Sequence, residues 1–162
     1  MTTNNELNDA FFTKIDNIIN ILKATGELFI SMHLFDLQEM KLVPIKTNER
    51  IASLSKNYTN AQDIVTNVMQ NLSVDFTLPV ITRFTDLSTL EERMKDKRTI
   101  SQLFEGKYLG WCNTIFIKVT DEEPLRYVLC VVQNVDDYIK RIEEITKTPI
   151  KYFFFILTPK NL

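Results

Sequence analysis

The sequence predicts an α+β fold: an N-terminal helix, two strands, a group of short helices, three more strands and a closing helix. Three observations carry this. Apolar residues recur at helical spacing from Leu7 to Leu22 and again from Val135 to Ile145. The segments that begin at Leu28 and Leu125 are apolar on both alternating faces, as strands covered from both sides are. Between them, a proline and several capping residues divide the chain into short helical pieces.

Thr3-Asn4-Asn5-Glu6 has capping-box spacing, and Leu7, Phe11, Ile15, Ile18 and Leu22 follow on one face until Gly26 stops the helix. Residues 1–27 therefore read as one amphipathic helix. Phe12 and Ile19 widen its stripe beyond what one sheet surface needs, so Phe11, Ile15, Ile18 and Leu22 are expected to meet a second copy in a homodimer. From Leu28 the period changes to two. Leu28, Ile30, Met32 and Leu34 alternate with Phe29, Ser31, His33 and Phe35, residues 36–39 turn, and residues 40–46 return as a partner strand whose Pro44 suits an edge. Residues 48–56 and 60–72 read as helices, the second with Ile64, Val65, Val68, Met69 and Leu72 on one face.

Residues 75–87, which include Pro79, are too irregular for a single element, and Ser88 with Glu91 reads as a capping box opening a helix through about residue 97. Strands follow at 99–105, 108–120 and 125–135, the last two joined by the turn Asp121-Glu122-Glu123-Pro124. Asp136 is expected to cap a helix over residues 136–148, whose seam Val135, Tyr138, Ile142 and Ile145 is too short to pair stably alone. Residues 149–162 have β-character without alternation and form an extension to which no structure is assigned.

Composition narrows the function. The 162 residues include 19 Lys+Arg and 21 Asp+Glu, a net charge of −2, which argues against a dedicated nucleic-acid binder. No apolar run approaches the length of a membrane span. Three glycines (Gly26, Gly106, Gly110) exclude the glycine-rich phosphate loops. One histidine and two cysteines cannot supply a four-ligand zinc site without carboxylates, so no metal is expected, and nothing supports haem or flavin. Cys112 and Cys130 lie on apolar strands and read as reduced, buried thiols of a cytoplasmic protein. A lone histidine leaves no Ser-His-acid arrangement, and the neighbouring pairs Glu122-Glu123 and Glu143-Glu144 do not face one another across a substrate, so no catalytic residue is named.

A five-stranded antiparallel sheet with helices inserted between its second and third strands is the layout of a PAS domain, and particular stretches strengthen the likeness. Phe84-Thr85-Asp86-Leu87-Ser88-Thr89-Leu90-Glu91-Glu92-Arg93-Met94-Lys95, then Thr99-Ile100-Ser101, Phe104 and Gly110-Trp111-Cys112, resemble the PAS-like input segment of diguanylate cyclases and histidine kinases from anaerobic gut bacteria. Asn60-Ala61-Gln62 resembles that family's pattern too, and Asn134-Val135-Asp136 is similar to the motif that closes PAS cores. The resemblance spans residues 28–145, with the core at 28–135. It implies a sensory module without enzymatic activity of its own, relaying its state through Asn134, Val135, Asp136, Tyr138 and Ile142 to a cyclase or kinase domain if the natural chain is longer. Two departures stand out. Asn113, Thr114 and Ile115 replace two arginines and a small residue of the family pattern, and Asn134 replaces an aspartate.

The expected ligand pocket draws on His33, Phe35, Phe84, Phe104 and Trp111, around a small, mainly apolar molecule. His33 reads first as a hydrogen-bonded core histidine, with a pocket donor or a pH-sensitive group as alternatives, and Trp111 first as a packing anchor, with a pocket wall as the alternative. The charged run from Glu91 to Arg98 reads as a solvated helix face. Two other functions remain open: a small α+β enzyme or carrier that resembles PAS only in element order, and a dimerisation module with a filled core.

Overall fold

The computed structural model describes Glu6, Asp9, Thr13, Asp16, Asn17 and residues 29–157, the last three by backbone alone. The five isolated residues are helical and exposed, and Thr13 Oγ1 donates to the Asp9 carbonyl at 2.9 Å. Phe11, Ile15, Ile18 and Leu22, the expected dimer contact, lie outside the described residues.

Five strands form one antiparallel sheet: β1 (Ser31–Asp36), β2 (Lys41–Lys46), β3 (Thr99–Gly106), β4 (Gly110–Lys118) and β5 (Tyr127–Asn134), in the order β2-β1-β5-β4-β3. The fold is therefore α+β, with β1 and β5 side by side near the middle and β2 and β3 at the edges. Pro44, which has no N–H to donate, sits on edge strand β2 opposite His33. The hairpin turn between β1 and β2 is held by Asp36, whose Oδ1 accepts from the N–H groups of Gln38 and Glu39. Arg126 closes a fork on the same carboxylate, with Nη2 3.0 Å from Oδ2 and Nε 3.2 Å from Oδ1. Burial pushes the Asp36 carboxyl up, but these hydrogen bonds outweigh it and leave it below the usual carboxylate range.

Between β2 and β3 run α1 (Glu49–Ser55), α2 (Ala61–Leu72), α3 (Leu78–Phe84), a 3₁₀ turn (Leu87–Thr89) and α4 (Leu90–Arg93). Asn48 and Asn60 cap α1 and α2 by accepting the N–H of Ile51 and of Gln62, each at 2.9 Å. The stretch that reads as irregular in sequence contains a true helix, because Pro79 sits in the first turn of α3, where its missing N–H breaks no helical bond. The next correction concerns Ser88. It opens no capping box: Asp86 accepts its N–H at 3.0 Å and its hydroxyl at 2.6 Å, and α4 ends at Arg93 instead of reaching residue 97. Arg93 turns back to donate through Nη2 to the carbonyls of Phe84 and Asp86, while Met94 is fully buried. Gln62 ties α2 to this corner, its Nε2 donating to the Thr85 carbonyl and its Oε1 accepting the Leu87 N–H at 2.7 Å.

Alternation along the strands assigns the faces. Phe35, Phe104, Cys112, Phe116, Val128, Cys130 and Val132 point toward the helices and form the main core with Val65, Met69, Ile81 and Leu90. On the opposite face Met32, Leu34 and Val131 are also buried. After β5 comes α5 (Asp136–Thr146), stopped at Lys147 in a left-handed conformation (φ 56°) two residues before Pro149. Residues 151–157, unassigned from sequence, form helix α6 (Lys151–Leu157). Its Phe154 ring packs 5.5 Å from that of Trp111 and 5.9 Å from that of Phe76, tertiary contacts that override the β-propensity of the segment. Among the described residues no helix is long and apolar enough to cross a membrane.

Candidate functional site

A cavity lies between α2 and the sheet. The two-residue period of β1 brings Ser31, His33 and Phe35 to its floor, and the antiparallel register sets Val132, Cys130 and Val128 opposite them, of which Val132 and Cys130 reach the cavity. Ile64, Val65, Val68, Met69 and Leu72 of α2 form the roof. Phe104 of β3, Leu42 of β2, Leu109 of the β3–β4 turn and Ile51 and Ser55 of α1 complete the wall. The Arg50 guanidinium lies 3.8 Å above the centre of the exposed Tyr108 ring, joining α1 to the β3–β4 turn. The free space, open mouth included, is about 540 Å³, and the room open to the centre of a water molecule is about 40 Å³.

Among the described residues no Asp, Glu, Lys or Arg lines this cavity. His33 is 8% exposed, and burial lowers its imidazole from 6.5 to about 4. The ring is neutral at pH 7 and hydrogen-bonds no other described residue. Cys130 stands directly opposite it across the strand pair. A thiolate–imidazolium dyad requires the thiol to be acidic and the imidazole basic. Burial drives both the other way, holding the Cys130 thiol at about 12, so the two face each other as neutral groups. Cys112 is likewise held at about 12, by burial and then by the Asp136 carboxylate. It sits opposite Asn134 while Cys130 sits opposite Phe116, so the two thiols are free and not paired in register. Among the described residues no three His, Cys, Asp or Glu side chains stand close enough to share a metal ion.

Of the five pocket residues expected from sequence, His33, Phe35 and Phe104 line the cavity together. Phe84 does not. Its ring packs 5.2 Å from Phe116 in the core below α3, because α3 turns it onto the centre of β4. Trp111 is also displaced. It differs from Phe116 by an odd number of positions along β4, so it emerges on the far face, against Phe76 and Phe154. Sequence periodicity misses Leu109, which belongs to a turn and obeys no period. The α2 residues read in sequence only as a helix face, although two adjoining apolar columns, Ala61-Val65-Met69 and Ile64-Val68-Leu72, are enough to cover both core and cavity.

The end of β5 forms a second, polar cluster that touches this wall. Asn134 Nδ2 donates to the Leu109 carbonyl at 2.7 Å and to Asp136 Oδ2 at 2.9 Å, while its Oδ1 accepts the Asp136 N–H at 3.1 Å. Asp136 Oδ1 accepts the Trp111 N–H at 2.7 Å, and the Val135 N–H donates to the Trp111 carbonyl at 2.8 Å. Asp136 therefore does not cap its own helix as expected; it fastens the helix start to β4. Ile139, fully buried, seats α5, while Tyr138 and Ile145 of the seam are exposed and Ile142 is half-buried.

Gly110 makes this cluster possible. Its φ is 68°, and a Cβ there would fall 2.6 Å from Asp136 Oδ1. Gly110→Ala is expected to lose about 1–2 kcal/mol from the left-handed backbone and to push Asp136 off the Trp111 N–H. Thermal unfolding and faster hydrogen exchange at the Trp111 amide check this; an unchanged Trp111 amide would show that Asp136 is not held there.

No protein-family model matches the chain, and no curated protein matches it.

Proposed function

We propose that the chain is a PAS-like sensory domain, of the kind that controls bacterial diguanylate cyclases and histidine kinases. In this reading a small molecule occupies the cavity and the occupied state is relayed through α5. Two features support the fold reading: the strand order β2-β1-β5-β4-β3 and the helices placed in chain order between β2 and β3. One observation carries the functional reading. Leu109 lines the cavity, and its carbonyl is held by Asn134, which also holds Asp136 at the first turn of α5. A displacement of the cavity wall thus reaches the helix through two hydrogen bonds.

The seam of the exposed Tyr138 and Ile145 with the half-buried Ile142 supplies the surface on which α5 pairs with a second copy. Too short to pair stably alone, it is poised for small biases. The test fuses a histidine kinase after Thr146 in heptad register and fills the cavity with Val68→Phe. Kinase output is expected to change about fivefold or more, the usual scale of coupling between sites. The same filling in an Asn134→Ala, Asp136→Ala background is expected to leave output unmoved. Equal responses in the two backgrounds would show that α5 is only a structural tail.

A further inference from the structure

We propose that the cavity takes a compact, uncharged molecule that is apolar except for one hydroxyl, and that His33 and Ser31 receive that hydroxyl. The inference rests on the reading of the cavity as a ligand site and names the chemistry of the occupant.

His33 and Ser31 are two residues apart on β1, so their side chains leave the same face of the strand about 7 Å apart at the backbone. They are 8% and 3% exposed, and neither side chain hydrogen-bonds another described residue. Their polar atoms open onto the cavity and are not sealed in, unlike Thr114 Oγ1 and Thr120 Oγ1, the fully buried side-chain oxygens without a partner among the described residues. Two adjacent polar groups that open onto an otherwise apolar cavity without a protein partner are met by water or by the polar atom of an occupant, and mark where that atom belongs. The other hydroxyl on the wall, Ser55, is already committed, donating to the Ile51 carbonyl at 2.7 Å.

The identity of the two groups fixes the chemistry. A neutral imidazole offers one N–H donor and one lone pair, and a serine hydroxyl offers both roles, so a ligand hydroxyl satisfies them in either tautomer. A carboxylate or an ammonium would enter without a counter-charge, since no Asp, Glu, Lys or Arg among the described residues lines the cavity, and would lose its hydration unrepaid. Apart from the Cys130 thiol, the rest of the wall among the described residues is apolar, with the unbranched Met69 able to reshape around a ring. The room open to a water centre is about 40 Å³, so a single ring is the upper limit and enters only as side chains such as Met69 give way, and extended cofactors are excluded.

The test titrates the full chain with phenol, toluene and benzoate by calorimetry. Wild type is expected to bind phenol about tenfold more tightly than toluene, the scale of one net hydrogen bond, and to show no saturable binding of benzoate. His33→Leu, which keeps the bulk and removes both hydrogen-bonding atoms, is expected to reduce phenol to the affinity of toluene while toluene stays within about twofold. His33→Gln, which can still donate and accept, is expected to keep most of the preference and controls for loss of folding. Equal affinity for phenol and toluene in wild type, tighter binding of benzoate, or a preference that survives His33→Leu combined with Ser31→Ala would each overturn the assignment of the hydroxyl. Failure of all three probes, or phenol binding that is unaffected by Val68→Phe, would overturn the ligand-site reading itself.

Discussion

Phe116→Ala is expected to lower the free energy of unfolding by about 3–5 kcal/mol, the range for a fully buried phenylalanine whose surroundings cannot collapse. Phe116 is 0% exposed at the centre of β4. Its ring meets Phe35 edge-on at 6.0 Å and Phe84 at 5.2 Å, so it joins the β1 surface to α3 through the middle of the core. Paired strands hold the backbone on both sides, with Ile100 and Cys130 as register partners, so the walls of the resulting void cannot close on it. Urea denaturation is the measurement: the midpoint should fall while the slope stays constant. Ile145→Ala, at a position 81% exposed, serves as the control and should stay within about 0.5 kcal/mol of wild type. A Phe116→Ala loss no larger than that of the control would mean that the three rings do not form the centre of the core.

The second large effect is a stability that depends on pH through a single group. His33 is the one histidine of the sequence, and burial holds it at about 4 against 6.5 in an unfolded chain. Between those values the unfolded state binds the proton and the folded state does not. The His33 contribution to stability is therefore complete above pH 6.5, declines as the pH falls toward 4, and levels off below it. The shift corresponds to about 3 kcal/mol in total. Carboxylates such as Asp36 also titrate in acid, so the informative quantity is the difference between wild type and His33→Leu. That difference should grow from pH 6.5 down to 4 and be flat on either side; a flat difference throughout would place the imidazole in contact with water.

The order of elements is legible in the sequence because period two and period three-to-four differ over a single strand or helix, and because Asn48 and Asn60 cap in the way their side chains favour. Local chemistry fails where two readings share the same residues. Pro79 signals a break or a first helical turn with equal force, and only the packing of Ile81 and Phe84 decides for the helix. Residues 151–157 have the composition of a strand, and the contact of Phe154 with Trp111 and Phe76 outweighs it. The site is half legible. Parity along β1 brings His33 and Phe35 together, and the same parity along β4 puts Trp111 and Phe116 on opposite faces, a distinction that the grouping of aromatic residues into one pocket overlooks. Leu109 carries no such signal, since its role depends on where the β3–β4 turn falls against Asn134.

The strand order also bears on how the chain is made. Residue 33 pairs with residue 130, so the first hairpin acquires its inner neighbour only after β5, the last strand to be synthesised, has left the ribosome. Until then β1 carries an uncovered edge and two apolar faces. The hairpin must wait through the synthesis of the helices and of β3 and β4, and sheet completion becomes a single late event that closes over the whole domain at once. Truncation anywhere before residue 134 therefore removes the seat of β1 as well as the missing residues, and nascent chains halted there are the species in which this protein is most exposed to aggregation.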